Sequence, residues 1–96
     1  MVSPIQYQFR LYVARDSQNS TVAVANLHSL CNEYLPGRHE IEIVDVFAEP
    51  HRALNDNILM TPTLVRLAPL PSVKIIGNLS DLPVVLQRLE IESTTS

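Results

Sequence analysis

The side chains that could do chemistry here are few. There is one cysteine, Cys31, and three histidines, His28, His39 and His51. A reactive thiolate is stabilised beside a helix N-terminus, as at the turn between a strand and the helix that follows it. After the first strand that turn reads Arg15-Asp16-Ser17-Gln18 and holds no cysteine. Cys31 falls about four helical turns further on, among apolar residues, and reads as a buried structural thiol. His28 and Cys31 are spaced i, i+3 and could face one side of a helix. Two ligands do not make a metal site, and neither His39 nor His51 has a spacing that completes one. Ser17, Ser20, His28 and Asp45 could be assembled into a hydrolytic triad only by ignoring spacing, and the serines read better as helix caps. The two glycines, Gly37 and Gly77, exclude a glycine-rich phosphate loop. No catalytic residue, metal or cofactor is expected.

What remains is polar surface. Glu40 and Glu42 alternate with Ile41 and Ile43, which reads as a solvated strand face or as an edge that recognises a partner. Asn55-Asp56-Asn57 has the same two readings, a polar helix face or a docking surface. Arg15, Asp16 and Asn19 are weaker candidates. Seven Lys+Arg against ten Asp+Glu give a net charge of -3, and Lys74 is the only lysine, so no basic nucleic-acid footprint exists.

These residues need a scaffold, and 96 residues with 46% hydrophobic and 18% charged side chains supply one globular domain, residues 1–96. The ends, 1–6 and 92–96, are expected to be flexible, Ser93-Thr94-Thr95-Ser96 being a polar tail. No apolar run approaches the ~20 residues of a membrane span. Without a basic n-region before an apolar stretch, and with a lone thiol, a cytoplasmic location is expected.

Tyr7–Ala14 reads as a central strand, Phe9, Leu11 and Val13 on one face and Tyr12 and Ala14 on the other. Ala23, Leu27, Leu30, Cys31 and Tyr34 recur at helical spacing, and Pro36-Gly37 stops that helix. Glu40–Phe47 is a second strand whose far end should be buried on both sides. With the intervening helix it forms a right-handed βαβ unit. Pro50–Leu59 is a short helix of about two to three turns with Ala53, Leu54 and Ile58 as its apolar face. Thr61–Leu67 and Val73–Gly77 pair as an antiparallel hairpin. Ser80 is the N-cap of a last helix carrying Leu82, Val85, Leu86 and Leu89. The order is βαβαββα.

Leu11-Tyr12-Val13-Ala14, Asn19-Ser20, Ile43-Val44-Asp45-Val46, Glu49-Pro50, Ile58-Leu59, Thr61-Pro62-Thr63-Leu64 and Ile75-Ile76-Gly77-Asn78-Leu79-Ser80-Asp81 together resemble the KaiB family, in register over about residues 7–91. The element order is that of the thioredoxin-like fold, an α/β fold with a mixed sheet, in which the Thr61-Pro62 bond is expected to be cis. The resemblance implies a non-enzymatic clock protein that binds the ATPase ring of a KaiC-type hexameric ATPase and kinase and modulates its phosphorylation cycle. It implies further contact with KaiA and competition with a clock histidine kinase. It also implies a second, self-associated ground-state fold, as homo-dimer or homo-tetramer, in which the second half of the chain is packed differently. The partner-binding residues it points to are Glu40, Glu42, Asn55, Asp56 and Asn57, with Pro62, Gly77 and Arg88 as structural positions.

Departures at five positions qualify the resemblance. Clock members carry Gly where this chain has Arg88, Asp at Glu90 and Tyr near Thr94. Arginine favours helix over glycine by about 0.8 kcal/mol, and residues 82–91 are helical only in the thioredoxin-like form, so this chain should lean towards it. Basic residues common in the second strand and second helix are here Glu42 and Asn57, which implies a changed ring surface or a different KaiC paralogue. A stress-response or signalling adaptor with another partner is the alternative reading. Glu42→Lys is expected to alter ring binding with little loss of stability.

Overall fold

The computed structural model describes residues 5–92. The first four and last four residues lie outside it, and with them most of the expected flexible ends and Thr94. Seven elements follow in the anticipated order: β1 (Tyr7–Val13), α1 (Gln18–Tyr34), β2 (His39–Asp45), α2 (Pro50–Asn55), β3 (Thr63–Ala68), β4 (Val73–Ile76) and α3 (Leu82–Arg88). The sheet runs β2-β1-β3-β4, with β1 parallel to β2 and antiparallel to β3, and β3 antiparallel to β4. This is the thioredoxin-like mixed sheet.

β1 is central because it can bury both faces: Leu11 and Tyr12 are each fully shielded. One face packs the main core, where Phe9, Leu11 and Leu64 meet Leu27 and Leu30 of α1 and Leu86 of α3. The opposite face carries a smaller cluster of Tyr12, Val44, Ala53 and Val65, with Ile58 packed against it. α1 starts at Ser17, whose hydroxyl accepts from the Ser20 N–H (3.2 Å), and stops where Gly37 takes φ 71°.

Several boundaries differ from expectation. β2 ends at Asp45, and its far end is not buried on both sides: Val44 is fully shielded whereas Ile43 is exposed. β2 is an edge strand, so only β1 flanks it. α2 spans six residues and ends at Asn55 instead of Leu59, leaving Leu54 exposed and outside the apolar face. The reason is a left-handed stop. Asn57 adopts φ 57°, its N–H donates to Leu54 O (3.1 Å), and the Ile58 N–H donates to Ala53 O (2.9 Å). That pair of bonds, with Ile58 and Ala53 sharing the small cluster, is a Schellman motif. α3 closes the same way: Glu90 takes φ 59°, and the Glu90 and Ile91 N–H groups donate to Gln87 O (3.1 Å) and Leu86 O (2.9 Å). It therefore ends at Arg88, short of residue 91. Its N-cap is Asp81, not Ser80, and no side chain caps it.

β3 begins at Thr63, two residues after the expected start. The Thr61-Pro62 bond is cis, as are Ala68-Pro69 and Leu70-Pro71. Gly77, at φ 124°, donates its N–H to Pro62 O (2.9 Å) and so ties the end of β4 to the start of β3. Among the described residues no helix is long and apolar enough to cross a membrane.

Candidate functional site

The face of the sheet that carries α2 is where the candidate residues fall. Residues of equal parity along β1 and β2 share a face, and Gln8, Arg10 and Tyr12 sit opposite Glu40, Glu42 and Val44. Arg10 Nε donates to Glu42 Oε1 (2.9 Å) and Arg10 Nη1 to Asp56 Oδ2 (3.1 Å), so one guanidinium joins strand β2 to the end of α2. Arg52 of α2 reaches the other Glu42 oxygen at 2.7 Å and Glu49 at 3.4 Å. The Tyr12 hydroxyl donates to Asp56 Oδ2, and Lys74 Nζ, coming from β4, donates to the backbone carbonyl of Asp56.

Charge in this cluster is fixed. Arg52 and, after it, Arg10 hold the Glu42 carboxyl down to about 2. Asp56 is also lowered, first by the hydrogen bond from Tyr12 and then by Arg10. Burial raises the Tyr12 phenol. At neutral pH both carboxylates are ionised and both arginines protonated, so the face presents a set pattern of charge.

Of the five expected docking residues, Glu42 and Asp56 are brought together, through Arg10. Glu40 lies on the same strand face and is exposed, and among the described residues no side chain bonds to it. Asn55 and Asn57 flank Asp56 and are exposed. The sequence reading missed Arg10, Tyr12, Arg52 and Lys74. A charged residue in the middle of the strand with the most burial was the available signal, because such a residue needs a partner. It also missed an apolar fringe. Phe47, Leu54, Leu59 and Met60 are 70%, 72%, 92% and 60% exposed, and Leu59 and Met60 help line a shallow depression with Val46, Ala53, Ile58 and Thr61.

The other candidates have structural work. Ser17 caps α1, the Ser20 hydroxyl accepts from the Ala14 N–H (3.0 Å), and Asp45 pairs with Arg15 (3.0 Å) while accepting from the Phe47 N–H (2.8 Å). Asn19 accepts from the Asn78 amide at 3.5 Å. Cys31 is fully shielded, and burial pushes its thiol up to about 12, so at neutral pH it is not a thiolate. Among the described residues no three His, Cys, Asp or Glu side chains come together as a metal would require.

The fold has relatives among solved structures. The N-terminal domain of SasA from Synechococcus elongatus superposes with a TM-score of 0.73 at 16% identity, covering 100% of this chain and 94% of that one. The germline-specific thioredoxin Deadhead from Drosophila melanogaster gives 0.73 at 12% identity, covering 92% and 83%. Sequence relatives are far nearer. The circadian clock protein KaiB3 of Synechocystis sp. is 40% identical over 82 residues, 85% of this chain and 80% of the relative. The circadian clock oscillator protein KaiB of Cyanothece sp. is 38% identical over 92 residues, 94% of this chain and 88% of the relative. The KaiB domain family itself matches residues 10–91, from the arginine that organises the charged face to the isoleucine that closes the last helix. On that match, and on about two-fifths identity along most of its length, the chain belongs to the KaiB family of circadian clock proteins.

Proposed function

We propose that this protein works without catalysis, docking on the ATPase ring of a KaiC-type hexamer through the β2 and α2 face and modulating the hexamer's phosphorylation cycle. The observation that carries the reading is the Glu42–Arg10–Asp56 bridge, which makes a strand and a helix end into one rigid surface. Glu40, Asn55 and Asn57 stand free on it for polar recognition, and Leu54 and Leu59 offer apolar contact beside them. Because Glu42 is already neutralised by two arginines, Glu40 is the side chain that carries uncompensated negative charge to a partner. The ring selects the monomeric thioredoxin-like state, and self-association competes with it. KaiA and a clock histidine kinase are further partners, the kinase as a competitor for the ring.

The test is co-elution of the purified protein with a cognate KaiC-type hexamer, with ATP and with ADP, followed over hours. Slow, nucleotide-dependent binding supports a clock protein that changes state before docking. Fast binding supports one whose docking state already dominates. No binding to any cognate ring overturns the reading in favour of an adaptor of the same fold with a different partner.

A further inference from the structure

Arg66 is the anomaly of the main core. It lies on β3, it is 0% exposed, and it is the largest fully buried side chain of the described residues. Buried guanidinium groups ordinarily face a buried carboxylate. Among the described residues its single acidic neighbour is Glu90, at 3.4 Å, with a side chain 73% exposed. The two good bonds go to backbone carbonyls: Nη1 donates to Leu89 O (2.7 Å) and Nη2 to Pro71 O (2.8 Å), while Nε has no partner among the described residues.

The destinations matter more than the number of bonds. Leu89 is the C-cap of α3, whose carbonyl the Schellman bonds to Leu86 and Gln87 leave free. Pro71 belongs to the loop between β3 and β4. One fork therefore holds the end of α3 and the hairpin loop to the middle of the sheet. The end of α3 is otherwise held by its own Schellman bonds and by two exposed contacts, Arg88 Nη2 to Lys74 O (2.8 Å) and the Tyr7 hydroxyl to Glu90 O (3.4 Å). The helix has no side-chain N-cap, and it is flanked by Leu79 and Glu90, both non-glycine residues at φ 65° and 59°. Such residues cost about 1–3 kcal/mol each and persist only where surrounding structure imposes them. Its docked face is Val85, Leu86, Leu89 and Ile91.

We infer that Arg66 is a conformational latch: it sets how often the unit formed by α3 and the 69–71 loop opens from a sheet that stays folded. The closed state keeps a charge and an unpartnered Nε out of water, and opening hydrates both. The latch is thus strong in geometry yet close to balance in energy.

The test is native-state amide hydrogen exchange on the free full-length protein and on Arg66→Met and Arg66→Lys. Methionine fills the space without donors. Lysine keeps the charge but has no planar fork to span two carbonyls. Both variants should speed exchange at Leu89, Glu90 and Ile91 by about tenfold or more, while Leu11 in β1 and Leu27 to Cys31 in α1 keep the parent's protection. If either folded variant loses protection equally in β1 and α1, Arg66 is a general core residue and the latch is wrong. Unchanged exchange at residues 89–91 overturns it as well. Should Arg66→Met fail to fold, Arg66→Lys decides alone, and neither readout involves a ring or another partner.

Discussion

Glu42 shows why a residue's role is set by its neighbours. In the sequence it is one of two glutamates on an alternating strand. In the fold it lies between Arg10 and Arg52, and Lys at this position would place three cations together. The expected tolerance of Glu42→Lys is therefore corrected: that variant should lose stability as well as any binding. Glu40→Lys is the cleaner probe, since Glu40 has no bonded side chain among the described residues. It should change affinity for a KaiC-type ring with a melting temperature close to the parent's, read by scanning calorimetry beside a binding titration. The ionised form of Glu42 is favoured on folding, its carboxyl falling from an ordinary 4.5 to about 2. Its contribution is complete above about pH 4.5 and lost as pH falls through about 2. Glu42→Gln should thus flatten the acid-unfolding curve in that interval and leave its neutral-pH slope alone. Because Glu42 is about half exposed, added salt should shrink the difference. A parent and variant with parallel acid curves would show that the ion pairs do not form in solution.

At the scale of the elements, the two short helices are decided by how they end. Apolar periodicity favoured Pro50–Leu59, but the backbone turns left-handed at Asn57, and the helix stops. Asparagine tolerates that conformation, glycine adopts it freely, and a β-branched residue resists it. Asn57→Gly should leave stability unchanged or raise it by up to about 1 kcal/mol, and Asn57→Val should lower it by about 1–2 kcal/mol, both by urea denaturation. The reverse order would mean that the turn at Asn57 is not formed. The Asn55-Asp56-Asn57 triplet was legible as polar. That Asp56 faces inward to Arg10 and Tyr12, while its two neighbours stay exposed, follows from the tight turn and from no feature of the triplet itself.

Among the described residues, one sheet face is covered by α1 and α3 and the other by α2 alone, and both β2 and β4 are open edges. Open edges invite strand pairing between copies. Arg88 counters this in two ways. It sits in the last turn of α3, where arginine is preferred over glycine by about 0.8 kcal/mol, and its Nη2 donates to Lys74 O on the β4 edge strand (2.8 Å). Arg88→Gly should therefore shift the free protein towards self-association, seen as a concentration-dependent rise in mass by sedimentation velocity. A mass that stays monomeric and identical to the parent's at every concentration would refute this. The sequence by itself determined the order of elements, the central place of β1, the βαβ unit, the hairpin and the family. The first four follow from local periodicity and from turn residues such as Pro36-Gly37, which act over a few positions, and the family from the resemblance of separate motifs held in register. Tertiary structure alone decided that Arg10 bridges Glu42 and Asp56, that Lys74 reaches Asp56, and that Arg66 is buried against Leu89 and Pro71. These contacts join residues 18 to 46 positions apart, apart from the nearer Pro71, and their energy depends on which groups the packed sheet leaves without water.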